Sequence, residues 1–276
     1  MMCIIISAFC FAIMNTFVRL AGDLPSIQKS FFRNFVALIF AAAMLLRTEE
    51  KFSFDRKNLP YLLLRAFFGT MGILGNFYAI DHLVLADASM LNKLSPFFAI
   101  LFSYFILREK TSPGQAIAVV IAFIGALFII KPTGVSFNAA SLVGVMGGMG
   151  AGIAYTMVRL LSKRGERGPF IVFFFSAFSC VATLPFLIFD FHPMEWWQLL
   201  CLLGAGLAAT GGQFSITAAY SFAPAKEISV FDYTQIIFAA ALGFIFFGEL
   251  PDGYSLIGYV IIIAVSVRMF LTGRKQ

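Results

Sequence analysis

An all-α polytopic membrane protein of ten transmembrane helices, arranged as two inverted five-helix repeats, is the fold predicted by three observations. First, 60% of the 276 residues are hydrophobic and only 12% are charged, about half the charge of an ordinary soluble domain. Second, apolar runs of about twenty residues, the length that crosses hydrocarbon, recur along the whole chain. Third, the breaks between runs are short and carry Pro, Gly and charge, as turns do.

The runs place spans at about 2–20, 26–46, 59–80, 87–107, 114–130, 141–162, 170–189, 196–222, 227–247 and 255–272. The first, MMCIIISAFCFAIMNTFV, has neither a basic n-region nor a small-x-small cleavage site, so it reads as a span rather than a signal peptide. It also has no polar lead-in, and an upstream natural start codon is one reading of that. Cys3, Cys10, Cys180 and Cys201 all fall inside apolar runs without CxxC spacing, the pattern of small core residues. Neither a disulfide framework nor a metal is expected. His82 and His192 fall between runs, as solvated or capping residues do.

Charge sets the orientation. With the N-terminus in the cytoplasm, the connections on that side hold Arg47, Lys51, Arg56, Lys57, Arg108, Lys110, Lys163, Arg164, Arg167, Lys226, Arg274 and Lys275. The other side holds only Lys29 and Lys131. Twelve against two predicts that both termini are cytoplasmic. The net charge of +6 is thereby accounted for, and no nucleic-acid partner is implied.

A repeat appears at an offset of 140 residues. Val18-Arg19-Leu20 recurs as Val158-Arg159-Leu160, and residues 69–109 lie over 209–249 with seven identities, Gly72 over Gly212 and Glu109 over Glu249 among them. The halves, 1–137 and 138–276, have five spans each, so the second enters the membrane the opposite way up. Inverted repeats are typical of secondary transporters, whose sites lie near the midplane between the halves.

Polar intrusions mark the candidate site. Arg19, Arg159 and Arg268 lie near span ends, where they are expected to snorkel to the interface. Arg33, Arg65 and Lys93 lie deeper. Ser89, Asn92, Lys93 and Pro96 share one face of span four; Ser229, Asp232 and Tyr233 share the corresponding face of span nine, with Gln235 at its margin. Ionisable groups inside a membrane face a bundle interior or a wet cavity, so these stripes are candidate walls of a transport path. On straight helices Lys93 and Asp232 differ in depth by about 13 Å. A direct pair is therefore not expected, and Arg65 is the better partner for Asp232. A competing reading has Arg33 and Lys93 bonding backbone carbonyls freed around Pro96.

GVMGGMGAGIAY at 144–155 follows no strand, and Gly144, Gly148 and Gly152 are four apart, a helix-packing spacing rather than a nucleotide loop. Gly69, Gly72 and Gly75 give span three a thin side. No HExxH, GxSxG, P-loop or metal-ligand cluster occurs, and no cofactor is expected. Trp196 and Trp197 suggest an interfacial belt. The candidate substrate-binding set is Arg33, Asn76, Tyr78, Asn92, Lys93, Tyr155, Gln213, Asp232, Tyr233 and Gln235. Asp232 is also the candidate for carrying a coupling proton.

The pattern resembles the drug/metabolite transporter superfamily, in its ten-span branch built from two EamA domains. The residues that carry the resemblance are the fourth helices ending in Glu, LREK at Glu109 and FGELPD at Glu249, together with SFFRN at 30–34, LLRAFFG at 63–69 and FDYTQIIFAAALGFIFFGELPD at 231–252. These are similar to a subset that includes S-adenosylmethionine and riboflavin uptake transporters. The resemblance implies a central cavity formed by spans one to four and six to nine, with spans five and ten as scaffold or homodimer contacts. Lys93 departs from most members.

The expected function is secondary transport of a small zwitterionic or amphipathic metabolite across a bacterial cytoplasmic membrane by alternating access. Arg33 and Lys93 would draw a carboxylate, and Asp232, with Tyr233 and Gln235, would receive an amine. A membrane enzyme or flippase acting on a lipid-linked substrate is the alternative.

Overall fold

The computed structural model describes residues 2–108, 112–130, 138–223 and 231–273. Glu109, Lys110, Lys131, Lys226, Ser229, Arg274 and Lys275, which entered the reading above, lie outside these residues.

Among the described residues the regular structure is helical throughout. The first five spans are α1 (Met2–Leu20), α2 (Ser26–Leu46), α3 (Leu59–His82), the pair α4 (Leu85–Asn92) and α5 (Ser95–Ile106), and α6 (Pro113–Ile130). The rest are α7 (Ala139–Lys163), α8 (Gly168–Phe189), α9 (Trp196–Phe222), α10 (Thr234–Phe247) and α11 (Gly253–Gly273). Eight stretches, with α4 and α5 taken as one, are long and apolar enough to cross a membrane, and two shorter apolar helices follow at 234–247 and 253–269. This is a multi-pass membrane protein, and the helices are consistent with ten spans.

Local chemistry starts these helices. Proline stands in the first turn of α3, α5 and α8, where its missing N–H costs nothing. Asn138 accepts from the amide of Ala140 at the start of α7, and Glu195 and Gln198 form a reciprocal capping box on α9.

The fourth span is not the single helix expected. It breaks at Lys93 and Leu94, where Leu94 makes a tight turn back to the Leu91 carbonyl. The cause is Pro96, which cannot donate to the carbonyl four residues earlier and crowds it with its ring. Tyr233 stands at the equivalent place, just before α10, and its hydroxyl donates at 3.0 Å to the Lys93 carbonyl, since the Phe97 amide turns to Leu94 instead. Tyrosine, rather than a lysine or arginine side chain, meets this carbonyl.

Glycines bring the helices close. A Cβ on Gly72 would lie 3.0 Å from the Ala151 amide nitrogen, and one on Gly75 would lie 2.9 Å from the Val143 carbonyl. The row Gly144, Gly148 and Gly152 faces the broken span instead: a Cβ on Gly148 would lie 2.8 Å from the Leu91 carbonyl. Gly147 and Gly150, between those positions, complete the α3–α7 seam. Helix partners recur in matched sets: α3 with α7 and α1 with α9; α5 with α7 and α1 with α10; α2 with α9 and α3 with α8. α2 packs on α8, and α6 on α11.

One end of the bundle gathers the turns after α1, α3, α8 and α10. There Arg19 does not snorkel outward. It donates to the carbonyls of Ile80 (3.0 Å) and Leu83 (2.5 Å) and ion-pairs with Glu249. Glu249 in turn accepts from the Leu85 amide at 2.9 Å. Lys29, assigned above to a connection, is fully buried and pairs with Asp81 at 2.6 Å. At the other end Arg167 pairs with Glu50 at 3.0 Å, and Arg164 lies over the Tyr61 ring.

Candidate functional site

A cavity sits among the helices, and α1, α2, α3, α4, α7, α8, α9 and α10 all contribute to its lining. Its polar wall is Asn15, Arg33, Arg65, Asn76, Asn92, Tyr155, Gln213 and Gln235; Phe11, Met14, Phe77 and Phe175 are among its apolar lining. Water centres have about 60 Å³ available in it, room for roughly four or five molecules. The described state is therefore contracted.

Of the ten candidates, Arg33, Asn76, Asn92, Tyr155, Gln213 and Gln235 line this cavity. Lys93, Asp232 and Tyr233 lie behind it, and Tyr78 lies near the end of α3, half-exposed and stacked on His82.

The reading of Lys93 and Asp232 as too distant to pair is corrected by the structure. Lys93 Nζ lies 2.6 Å from Asp232 Oδ1, with both side chains almost wholly buried. The contact is an ion pair, and neither carboxylate oxygen accepts a hydrogen bond among the described residues. The depth argument failed because it assumed straight helices. Both residues sit at breaks, where the chain turns and side chains leave the wall at angles that the helical rise does not describe.

Arg65 is correspondingly released from the role of partner to Asp232. Its guanidinium carbon lies 4.0 Å from the centroid of the Phe175 ring, and that of Arg33 lies 5.8 Å from the same centroid. Such cation–π contacts are worth about 2 kcal/mol when desolvated. Arg33 also donates to Asn34 Oδ1 at 2.5 Å and to Gln213 Oε1 at 3.3 Å. Asn34 is itself held by Ser30 and Ser179. Gly69 makes room for Arg65, since a Cβ there would fall 2.2 Å from Nη1. Among the described residues no carboxylate reaches ion-pair distance of Arg33 or Arg65.

Four buried polar atoms of the wall have no partner: Arg33 Nε, Arg65 Nε, Asn76 Oδ1 and Gln235 Oε1. Buried polar groups are normally satisfied, so unmet donors and acceptors around one cavity describe a place prepared for a polar occupant. Asn76 Nδ2 donates to Asn15 Oδ1 at 3.4 Å, and Asn15 donates to Ser89 Oγ at 3.3 Å. Tyr155 stacks on Tyr220 with centroids 4.6 Å apart.

Arg65, Asn15 and Phe175 are among the lining residues absent from the candidate set. Arg65 had been noted as deep but was assigned elsewhere. Asn15 stands 140 residues before Tyr155, and that offset is the signal that would have found it. Phe175 is one of 35 phenylalanines, and no local feature distinguishes it.

A helical membrane bundle with a polar cavity between its helices is an architecture that small-molecule membrane transporters use. The EamA-like transporter family matches the chain twice, over residues 1–131 and 139–271, and the chain belongs to that family. It is similar to the pseudopaline exporter CntI of Pseudomonas aeruginosa, at 32% identity over 97% of this chain and 94% of the relative. It is also similar to the riboflavin transporter of Vibrio cholerae, at 28% identity over 92% of this chain and 86% of the relative. One solved structure shares the fold over 98% of both chains with a TM-score of 0.66 at 16% identity.

Proposed function

We propose that this protein is a secondary transporter that moves a small organic solute carrying an anionic group by alternating access, its site formed by Arg33, Arg65 and the amides of Asn76, Asn92, Gln213 and Gln235. The observation that carries this reading is the pair of buried arginines, 1% and 2% exposed, that lie over one aromatic ring beside the cavity with no carboxylate at ion-pair distance among the described residues. Buried charge is costly unless paired, so the partner is expected to arrive with the solute. The amine receptor anticipated at Asp232 gives way, because Lys93 already neutralises that carboxylate.

Two halves, 1–137 and 138–276, related by an axis in the membrane plane, form the moving parts. The matched helix pairings and the doubled family match support this division. The protein lies in a bacterial cytoplasmic membrane with both termini inside, supported by the excess of basic residues in the connections on that side. α6 and α11, packed on each other, serve as scaffold or as the contact between two copies. A coupling proton, where one is used, is taken at Asp232. The relatives' names, a pseudopaline exporter and a riboflavin transporter, favour transport over the lipid-acting enzyme.

The test is flux of carboxylate metabolites, labelled or detected by mass, into and out of proteoliposomes holding the purified protein. Wild type is expected to move at least one of them, and Arg33→Gln and Arg65→Gln to lose about 10–100-fold in flux, the worth of one charge-assisted hydrogen bond. Flux that survives both substitutions unchanged would defeat the site.

A further inference from the structure

We infer that the cavity is a receptor for a dianion: a solute with two separate carboxylates or equivalent acidic groups, one met by Arg33 and the other by Arg65. The inference rests on the transporter reading above and adds to it a count of charge. Lys93 and Asp232 cancel each other at 2.6 Å. Glu249 is taken by Arg19 at the end of the bundle, and Asp81 by Lys29. That leaves Arg33 and Arg65 as two positive charges on the cavity wall, with neutral amides, tyrosine and apolar groups around them. A monoanion would leave one guanidinium buried and unpaired, and a zwitterion would add a positive charge to a site whose described lining holds no acid to receive it.

The two arginines come from different helices. Arg33 comes from α2 and is anchored to Asn34 and Gln213. Arg65 comes from α3 and lies over the Phe175 ring in the space left by Gly69. Each has an unpartnered Nε. Because guanidinium forks match carboxylates two bonds at a time, each arginine is equipped for one acidic group rather than both for the same one. Asn76 Oδ1 and Gln235 Oε1, both without donors, are then free to accept from N–H or O–H groups on the body of the solute.

Gln213 provides a test that needs no knowledge of the solute. Its Oε1 already lies 3.3 Å from Arg33 Nη2, so Gln213→Glu places a carboxylate beside that guanidinium with almost no change in shape. If the empty cavity carries two uncompensated charges, Gln213→Glu raises the melting temperature of the purified protein. Gln213→Met, which removes the polar partner, lowers it. A Gln213→Glu protein that melts below wild type overturns the inference.

The second arm uses defined probes: malonate, succinate, glutarate and adipate against acetate, propionate, butyrate and valerate, at matched ionic strength. At least one dicarboxylate is expected to raise the wild-type melting temperature with an apparent affinity roughly tenfold or more above its monocarboxylate counterpart. The gain is expected to vanish in Arg33→Gln/Arg65→Gln. Equal, arginine-dependent stabilisation by both series overturns the dianion while leaving the single-anion transporter intact. No arginine-dependent stabilisation by either series overturns both.

Discussion

Lys93 and Asp232 are 3% and 1% exposed, so the value of their attraction lies mainly in what happens when one is lost. Removing a single partner leaves an uncompensated charge in a poorly hydrated interior, at a cost of about 3–5 kcal/mol, whereas replacing both by apolar residues is often near neutral. Lys93→Met and Asp232→Leu are therefore each expected to destabilise strongly, and the double variant to recover most of the loss. A double-mutant cycle by thermal melting checks this, and additive losses would deny the pair. Arg33 and Arg65 present the opposite case, charges beside a cavity with no carboxylate at ion-pair distance among the described residues. The same physics, desolvation against pairing, thus closes one site internally and leaves its neighbour waiting for an occupant.

Helix α3 carries Arg65 and Asn76, and α7 carries Tyr155, so the distance between these helices sets the width of the cavity. Their contact is a glycine seam. A Cβ on Gly147 would lie 3.0 Å from the Asn76 amide nitrogen, and one on Gly150 would lie 2.8 Å from the Phe68 carbonyl. These neighbours are backbone and cannot rotate away, so a side chain there must push the helices apart. Gly147→Val is expected to cost at least the 1–3 kcal/mol of an overpacked core and to abolish flux. Gly253→Ala, where a Cβ meets nothing within 4 Å, is expected to stay within about 0.5 kcal/mol of wild type. Melting and flux measured on both variants check the contrast, and a Gly147→Val protein that melts and transports like wild type would remove the seam from the mechanism.

Across the whole molecule, the Arg19–Glu249 pair joins four segments at one end: α1, the end of α3 with the turn that follows it, the start of α4, and the residues after α10. It therefore acts as a tie that must release if the cavity is to open there. Glu249→Gln keeps the shape and removes the charge. In a protein whose native cysteines have been replaced, it is expected to speed labelling of Asn76→Cys by an impermeant thiol reagent added from that side. Unchanged labelling would show that the tie does not hold that end shut. The same release makes the contracted cavity, with room for a few waters, compatible with a larger solute.

Element type and membrane residence were legible in the amino-acid order, because hydropathy sums over neighbours in sequence and needs no knowledge of packing. The polar residues Arg33, Asn92 and Gln235 also stood out, since a membrane tolerates few such groups and each is visible one residue at a time. Which of them meet was decided only in three dimensions. Pro96 broke the fourth span, the break turned Lys93 onto Asp232, and that contact freed Arg65 for the cavity. A charge's partner is a distance between elements, and helix breaks and tilts change such distances by as much as a side chain's whole reach.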